Sequence, residues 1–251
     1  MRNILLTMTY DGSKFHGWQI QNNAVSVQEV FQEALFKVIG KPVDIKGCSR
    51  TDAGVHANMY CVSFHTEHRI PVERIAPAVN NYLPPSIAVL QAREVSQEFH
   101  ARYSCTGKEY VYKIWNADIR NPFLYGYALH YWYPLDLDAM NEAGKHMIGC
   151  HDFTSFCTLD NREKGDFHRT IRNLYTDREN DMVTITVEAD GFLYNMVRII
   201  TGTLLYVSQG KIHAEDIPAI IKAENRKMAG PTAPPEGLYL NRVFYDEKRY
   251  G

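Results

Sequence analysis

The chain has 251 residues, of which 45% are hydrophobic and 22% charged, with a net charge of −2 at pH 7. That is ordinary globular composition at a length that suits two small domains, with no tag or low-complexity segment. The near-neutral balance excludes a general attraction to nucleic acid, so any RNA or DNA surface must be a local basic patch. Five cysteines, an odd number without a C-x-x-C pair, point to a reduced, cytoplasmic protein. Met1 reads as the start, and the apolar run from Ile4 to Met8 is too short for a signal sequence or a membrane span.

In chain order, Asn3 to Tyr10 reads as a strand, followed by a loop punctuated by Gly12 and Gly17. Those glycines have the spacing of a phosphate-binding loop. Trp18 and Gln19 stand where that motif needs Lys and Ser or Thr, which argues against a nucleotide triphosphate. Lys14, His16 and Trp18 instead suit an RNA backbone contact and a base stack. Ser26 and Glu29 form a capping box for a helix with Val27, Val30, Phe31, Ala34, Leu35 and Val38 on one face. Gly40 and Pro42 end it. Strands follow at Val43 to Gly47 and about Asn58 to His65, a helix at Pro71 to Val79, and a strand at Ile87 to Val95. The order is β-α-β-β-α-β, a ferredoxin-like unit.

The pattern then repeats. Lys108 to Trp115 is a strand with Tyr110, Tyr112 and Ile114 on one face. Asp136 caps a helix to Ile148, and Thr170–Tyr175 with Met182–Ala189 makes a hairpin around Asn180-Asp181. A long helix spans about Gly191 to Ser208, a short one Asp216 to Glu224, and a strand Leu238 to Tyr245 closes the chain. The expected fold is α+β, with one half at 1–104 and a second at 105–251. No sequence-level repeat links them; only the element order does.

The densest polar stretch is Gly47-Cys48-Ser49-Arg50-Thr51-Asp52-Ala53-Gly54-Val55-His56-Ala57, set between two strand-like runs and so expected on a loop at a sheet rim. Arg50 and Asp52 read either as a pin for the loop or as chemistry. A neighbouring guanidinium favours the charged carboxylate, which can then act as nucleophile or base. Gly54 suggests a positive φ or a close approach. His56 reads as a base partner or as loop packing, the packing reading being the plainer. His65 and His68, three apart leaving a strand, do not share a face, and the cysteines other than Cys61 are far off in sequence, so no metal site is expected.

In the long helix, Leu193, Met196, Val197, Ile200, Leu204 and Val207 form an apolar stripe, with Asn195, Arg198 and Gly202 on the other side. Apolar flanks suggest that Arg198 is covered and needs an anionic partner such as Asp52 or a phosphate. Between the halves, Phe99 to Ser104 and Lys108 to Tyr112 mix cations, including Arg102 and Lys108, with aromatics. That composition suits base stacking and phosphate contact, or an ordinary strand lead-in.

These segments together resemble the tRNA pseudouridine synthase A family, the pseudouridine synthase I type, from end to end. The loop from Gly47 to His56 is similar to the family motif G-x-G/S-R-T-D-A-G-V-H. Six further segments match in order: Tyr10 to Gln19, Ser26 to Glu29, Phe99 to Arg102, Asp152 to Phe156, Phe192 to Gly202 and Ala233 to Leu240. The resemblance implies a catalytic nucleophile in Asp52, which starts cleavage of the uridine N-glycosidic bond before uracil rotates and rejoins the ribose through C5. It implies that Tyr110 contacts the base and helps remove the C5 proton, that Arg198 pairs with the catalytic carboxylate, and that Arg50 helps open the target position and hold the backbone. It further implies no metal or organic cofactor, two ferredoxin-like halves sharing a central antiparallel sheet with helices outside, an active-site cleft between them, and a cytoplasmic homodimer. The implied substrates are uridines 38, 39 and 40 of the tRNA anticodon stem-loop.

The chain departs from the family pattern at Ser49, at Glu109, at Tyr194-Asn195 and in its near-neutral charge. Each lowers cationic character near RNA, so a paralogue acting on other tRNA or rRNA uridines stays open. So does a tRNA-binding protein without catalysis. A carboxylate-dependent hydrolase would need a second carboxylate ~5–9.5 Å from Asp52, and Asp11 is the sole candidate in sequence.

Overall fold

The computed structural model describes residues 1–159, 165–246 and 248. The chain is mixed α/β. Its strands and α-helices run β1 (Arg2–Tyr10), α1 (Val27–Ile39), β2 (Lys46–Gly47), β3 (His56–Thr66), α2 (Val72–Asn80), β4 (Ile87–Val95), β5 (Cys105–Trp115), β6 (Leu129–His130), α3 (Leu137–Lys145), β7 (Gly149–Asp152), β8 (His168–Glu179), β9 (Met182–Ala189), α4 (Met196–Ser208), α5 (Ile217–Lys222) and β10 (Leu238–Tyr245). It divides into two compact units. One is Met1–Thr106 with Tyr239–Gly251, the other Gly107–Leu238.

In the first unit the strands are ordered β4-β1-β3-β10, and β2 pairs with β3. β1 pairs antiparallel with both β3 and β4. Its residues are buried on both faces, which is why it reads as an almost unbroken apolar run. Ile4, Leu6 and Met8 share one face. Asn3 and Leu5 lie on the other, and there Asn3 Nδ2 donates to the carbonyls of Ser96 and Phe99 at 2.8 and 2.9 Å. Ser63, opposite Leu5, accepts the amide of Ala101. The segment 96–104 therefore closes the sheet face that Leu5 and Ser63 share.

Helix α1 starts as the capping box requires, with Ser26 accepting from Glu29 N, and stops at Gly40 with φ 76°. The expected strand from Val43 shrinks to Lys46–Gly47. The Val43 carbonyl turns instead to Gln32 of α1. In this unit one pairing departs from the antiparallel expectation: β10 runs parallel to β3, through Tyr239↔His56 and Leu240↔Ala57. β10 is reached by a long connection, not a hairpin, so nothing local forces the two strands to oppose.

In the second unit the order is β5-β9-β8-β7, with β6 parallel to β5. β8 and β9 make the expected hairpin, with Asn180 at φ 54° in its turn. Tyr110, Tyr112 and Ile114 all face inward and are buried, as their period-two spacing requires. β7 has no alternating pattern in sequence and exists because β8 offers it an edge, from Gly149↔Ile171 to Asp152↔His168. The long helix begins at Met196, not Gly191, because Asn195 sits at φ 61° and a right-handed helix cannot pass through that conformation. No helix among the described residues is long and apolar enough to cross a membrane.

Candidate active site

The Asp52 loop joins β2 to β3 and is held by backbone bonds together with side chains, among them the Tyr60 hydroxyl, which donates to the Ser49 carbonyl. Trp18 N donates to the Thr51 carbonyl at 3.0 Å, Gly54 N to the Phe15 carbonyl at 3.2 Å, and Val55 N back to the Asp52 carbonyl at 3.1 Å. Thr51 is buried, with its hydroxyl 2.7 Å from the Tyr10 hydroxyl. The next residue, Asp52, is half-buried and Ala53 exposed. Thr51 thus pulls the chain inward so that its neighbour is presented at the rim.

This grip explains the two glycines whose spacing imitates a phosphate loop. A Cβ on Gly12 would lie 1.9 Å from the Val55 carbonyl oxygen, and one on Gly17 2.4 Å from that of Thr51. Gly17 also sits at φ 86°, and Gly54 has the positive φ expected of it, at 79°. The glycines let the 11–18 segment lie directly against the Asp52 loop. His56 belongs to the same packing. It is 1% exposed, its Nδ1 accepts the Gly12 amide at 3.1 Å, and its ring stacks on Tyr239 at 4.6 Å. Asp11 Oδ1 lies 3.3 Å from that same Nδ1 and takes the Ser13 amide at 2.9 Å.

Trp18 requires a correction. It was expected to stack on a base, but it is 4% exposed and its indole stacks on Tyr60 at 4.1 Å. A Cβ on Gly47 would meet both rings, so the Trp18–Tyr60 pair fills the space beneath the loop's stem. An aromatic residue in a polar loop reads as a stacking surface only until its own core partner is known. Lys14, His16 and Arg50 are exposed, as is Arg102, while Lys108 is half-buried.

The second unit holds the other expected residues. Tyr110 is 6% exposed and meets Phe192 edge-on at 5.0 Å. Arg198, in the first turn of α4, is half-buried. Its Nε donates to the Ala233 carbonyl at 2.8 Å and its Nη1 to Asn195 Oδ1 at 2.9 Å. Asn195 Nδ2 donates in turn to Thr158 Oγ1 at 3.0 Å. Two donors of the expected anion-binding arginine are therefore spent on neutral oxygens, and these fix where the guanidinium points.

Asn195 does two things that sequence reading missed. It accepts the left-handed backbone that starts α4, which asparagine tolerates better than most residues, and its amide orients Arg198. The sequence signal was there, an asparagine three residues before an arginine at the start of an apolar stripe. Its meaning depended on where the helix begins. Gly202 brings in the other support. A Cβ there would lie 1.8 Å from the Pro231 carbonyl oxygen, so the 230–234 segment packs onto α4 and delivers the Ala233 carbonyl to Arg198. Tyr112, fully buried, anchors the same segment through its hydroxyl to the Pro234 carbonyl at 2.8 Å, and burial pushes its phenol far above the usual tyrosine range. Among the described residues, no group of three or more His, Cys, Asp or Glu is placed to hold a metal ion.

The sequence matches agree with the resemblance. The profile described as tRNA pseudouridine synthase covers residues 6–104 and 143–246. The chain is 46% identical over 245 residues to tRNA pseudouridine synthase A of Thermoanaerobacter sp. (strain X514), spanning 98% of this chain and 100% of that protein. It is 45% identical over 249 residues to that of Ruminiclostridium cellulolyticum, across 98% and 100%. It is 47% identical over 242 residues to that of Bacillus pumilus, across 96% and 98%. With the motif loop and its supports in place in the same chain, the protein belongs to the tRNA pseudouridine synthase family, isomerases that convert uridine to pseudouridine in tRNA.

Proposed function

We propose that this isomerase uses Asp52 as its nucleophile on uridines 38, 39 and 40 of the tRNA anticodon stem-loop. The carboxylate starts cleavage of the bond between ribose C1′ and uracil N1. The uracil turns, C1′ bonds to C5, the C5 proton leaves with help from Tyr110, and N1 takes up a proton in its place. No atom is gained or lost, so one carboxylate and groups that stabilise charge on the uracil are sufficient. Arg198 pairs with the catalytic carboxylate and Arg50 holds the RNA backbone while the target base is out of the stack. Lys14, His16, Arg102 and Lys108 are further candidates for RNA contact.

The observation that carries the proposal is the way the Asp52 loop is gripped. Thr51 is buried and bonded on both its carbonyl and its hydroxyl, and Asp52 follows at the rim. A short side chain on a fixed backbone has little freedom left, and covalent catalysis needs that pre-positioning. The ferredoxin-like reading of each half is supported in the first unit by the strand order β4-β1-β3 with β2 beside β3. The two halves at 1–104 and 105–251, the homodimer and the cytoplasmic setting go with the same proposal. All five cysteines are free thiols, as a reducing compartment would keep them.

The test is release of tritium from 5-tritiated uridine in tRNA. The wild type should release it, and Asp52→Ala should lower release by at least about 10⁴-fold while unfolding at the same temperature. Persistent turnover in that variant would remove Asp52 from the chemistry. Replacing the uridines at 38, 39 and 40 one at a time with cytidine would show which positions are used.

A further inference from the structure

We propose that the turn 100–104 is a preformed RNA platform, on which a base stacks on Tyr103 while Arg102 and Lys46 hold the adjoining phosphates. This rests on the tRNA reading above and adds a subsite to it.

The turn faces two ways. Phe99, Ala101 and Ser104 point inward, at 2%, 0% and 7% exposure. Their backbone is tied down on several sides. Ala101 N donates to Ser63 Oγ at 3.0 Å, the Tyr245 hydroxyl donates to the Ala101 carbonyl at 2.7 Å, and Ser104 N donates to the His100 carbonyl at 2.9 Å. Arg102 and Tyr103 are left at the tip. The imidazole of His100 braces it from within the turn, its Nδ1 accepting the amides of Arg102 at 3.1 Å and Tyr103 at 3.3 Å. Burial and the neighbouring Lys46 push the His100 pKa below its ordinary value, which keeps Nδ1 available as that acceptor.

On this support Tyr103 stands 77% exposed, its ring 4.4 Å from that of His100 and 5.8 Å from the guanidinium of Arg102. Other rings are as exposed, Tyr125 at 88%, but Tyr103 stands on a turn braced by His100 with a guanidinium beside it. An exposed ring on a fixed turn loses little freedom when a flat ligand covers it. Lys46 is adjacent because β2 pairs Lys46 with Ser63, the residue that anchors Ala101. Asp44 contacts Lys46 at 2.5 Å, so the patch of Lys46, Arg102 and Asp44 has one net positive charge. The whole chain carries −2, so a cationic patch around a bare aromatic is local. Bases stack on such rings without regard to sequence, and cations beside them take the phosphates. Lys46 also lies only six positions before Asp52, which ties the platform to the loop that carries the carboxylate.

The experiment compares steady-state tritium release and direct tRNA binding for the wild type, Tyr103→Ala, Tyr103→Phe and Arg102→Gln. Tyr103→Ala should raise KM and the tRNA dissociation constant by roughly 10-fold, with a smaller change in kcat. Tyr103→Phe should restore both, since the ring and not the hydroxyl does the stacking. Arg102→Gln should flatten the dependence of log affinity on log salt by about 0.7–1. Unchanged binding in Tyr103→Ala with an unchanged salt slope in Arg102→Gln would overturn the platform and leave the ring as a surface for a protein. Loss in Tyr103→Phe equal to that in Tyr103→Ala would overturn stacking. Failure of the wild type to release tritium would instead defeat the parent reading, and the binding measurement would still decide the platform.

Discussion

The Asp52 loop and the Arg198 turn solve the same problem, aiming one charged group, by opposite means. The loop is held along its backbone, at the Ser49 and Thr51 carbonyls and the Gly54 amide, and by glycines that let two backbones touch. Arg198 is held by side chains and carbonyls through Thr158, Asn195 and Ala233. A short carboxylate has little reach, so its backbone must be placed. A long guanidinium has several rotatable bonds, so its head must be caught. Damage to the first should therefore appear as lost structure and lost activity together, and damage to the second as lost activity in a folded protein.

Gly17→Ala tests the first half of that contrast and should have the largest effect. The new Cβ meets the Thr51 carbonyl at a position with φ 86°. Overpacking and left-handed strain together should cost roughly 3–5 kcal/mol in urea unfolding. Displacing Asp52 by an ångström should lower kcat by about 100-fold. A stable variant with wild-type turnover would mean that the loop is not held by this contact.

Asn195→Gly sharpens the second half. Glycine keeps the left-handed start of α4 but removes the amide that orients Arg198. It should lose about 10-fold in kcat, within the range for a hydrogen bond to a charged group, with little change in unfolding midpoint. Asn195→Ala should lose the same activity and, in addition, about 1–2 kcal/mol of stability from backbone strain. Equal stability losses in both would show that Asn195 serves the fold and not the arginine.

The smallest effect concerns the stem of the Asp52 loop. Cys48 lies against Cys61, whose amide donates to the Cys48 sulfur at 3.3 Å. Burial pushes the Cys61 thiol from an ordinary 9.0 up to about 11. A raised thiol pKa means that the folded state holds a proton the unfolded state releases. The associated stability is complete below pH 9 and is lost as pH rises through about 11. By pH 10 the loss should be about 1 kcal/mol, read from chemical unfolding at pH 8 and pH 10, and Cys61→Ala should remove that part of the slope.

Much of the architecture was legible in residues with one physical meaning. Ser26 with Glu29, Gly40, the alternation of Tyr110, Tyr112 and Ile114, and the hairpin turn at Asn180 each state a local geometry, and each is found where expected. The stretch Arg50-Thr51-Asp52 was legible as a loop between two strand-like runs, and it is found between β2 and β3. Trp18 was not, because an indole suits a base or a core equally well and only Tyr60 decides between them. The start of α4 was misplaced because the apolar stripe begins at Leu193, before the backbone of Asn195 allows a helix to begin. β7 and the parallel placement of β10 were invisible, since a strand edge and a direction are offered by partners distant in the chain.

The sequence alone determined the longer strands and helices, their caps at Ser26 and Asp136 and the inward faces, because these depend on periodicity and on interactions within a few residues. Tertiary structure decided what the glycines were for. Gly12 and Gly17 looked like a failed phosphate loop and are a contact surface for Val55 and Thr51, which lie more than thirty residues away in the chain. It also decided that Asn195 catches Arg198 and that Tyr103 stays bare on a fixed turn. Those facts concern which atoms exclude or reach one another in space, and a one-dimensional pattern of residue types does not contain them.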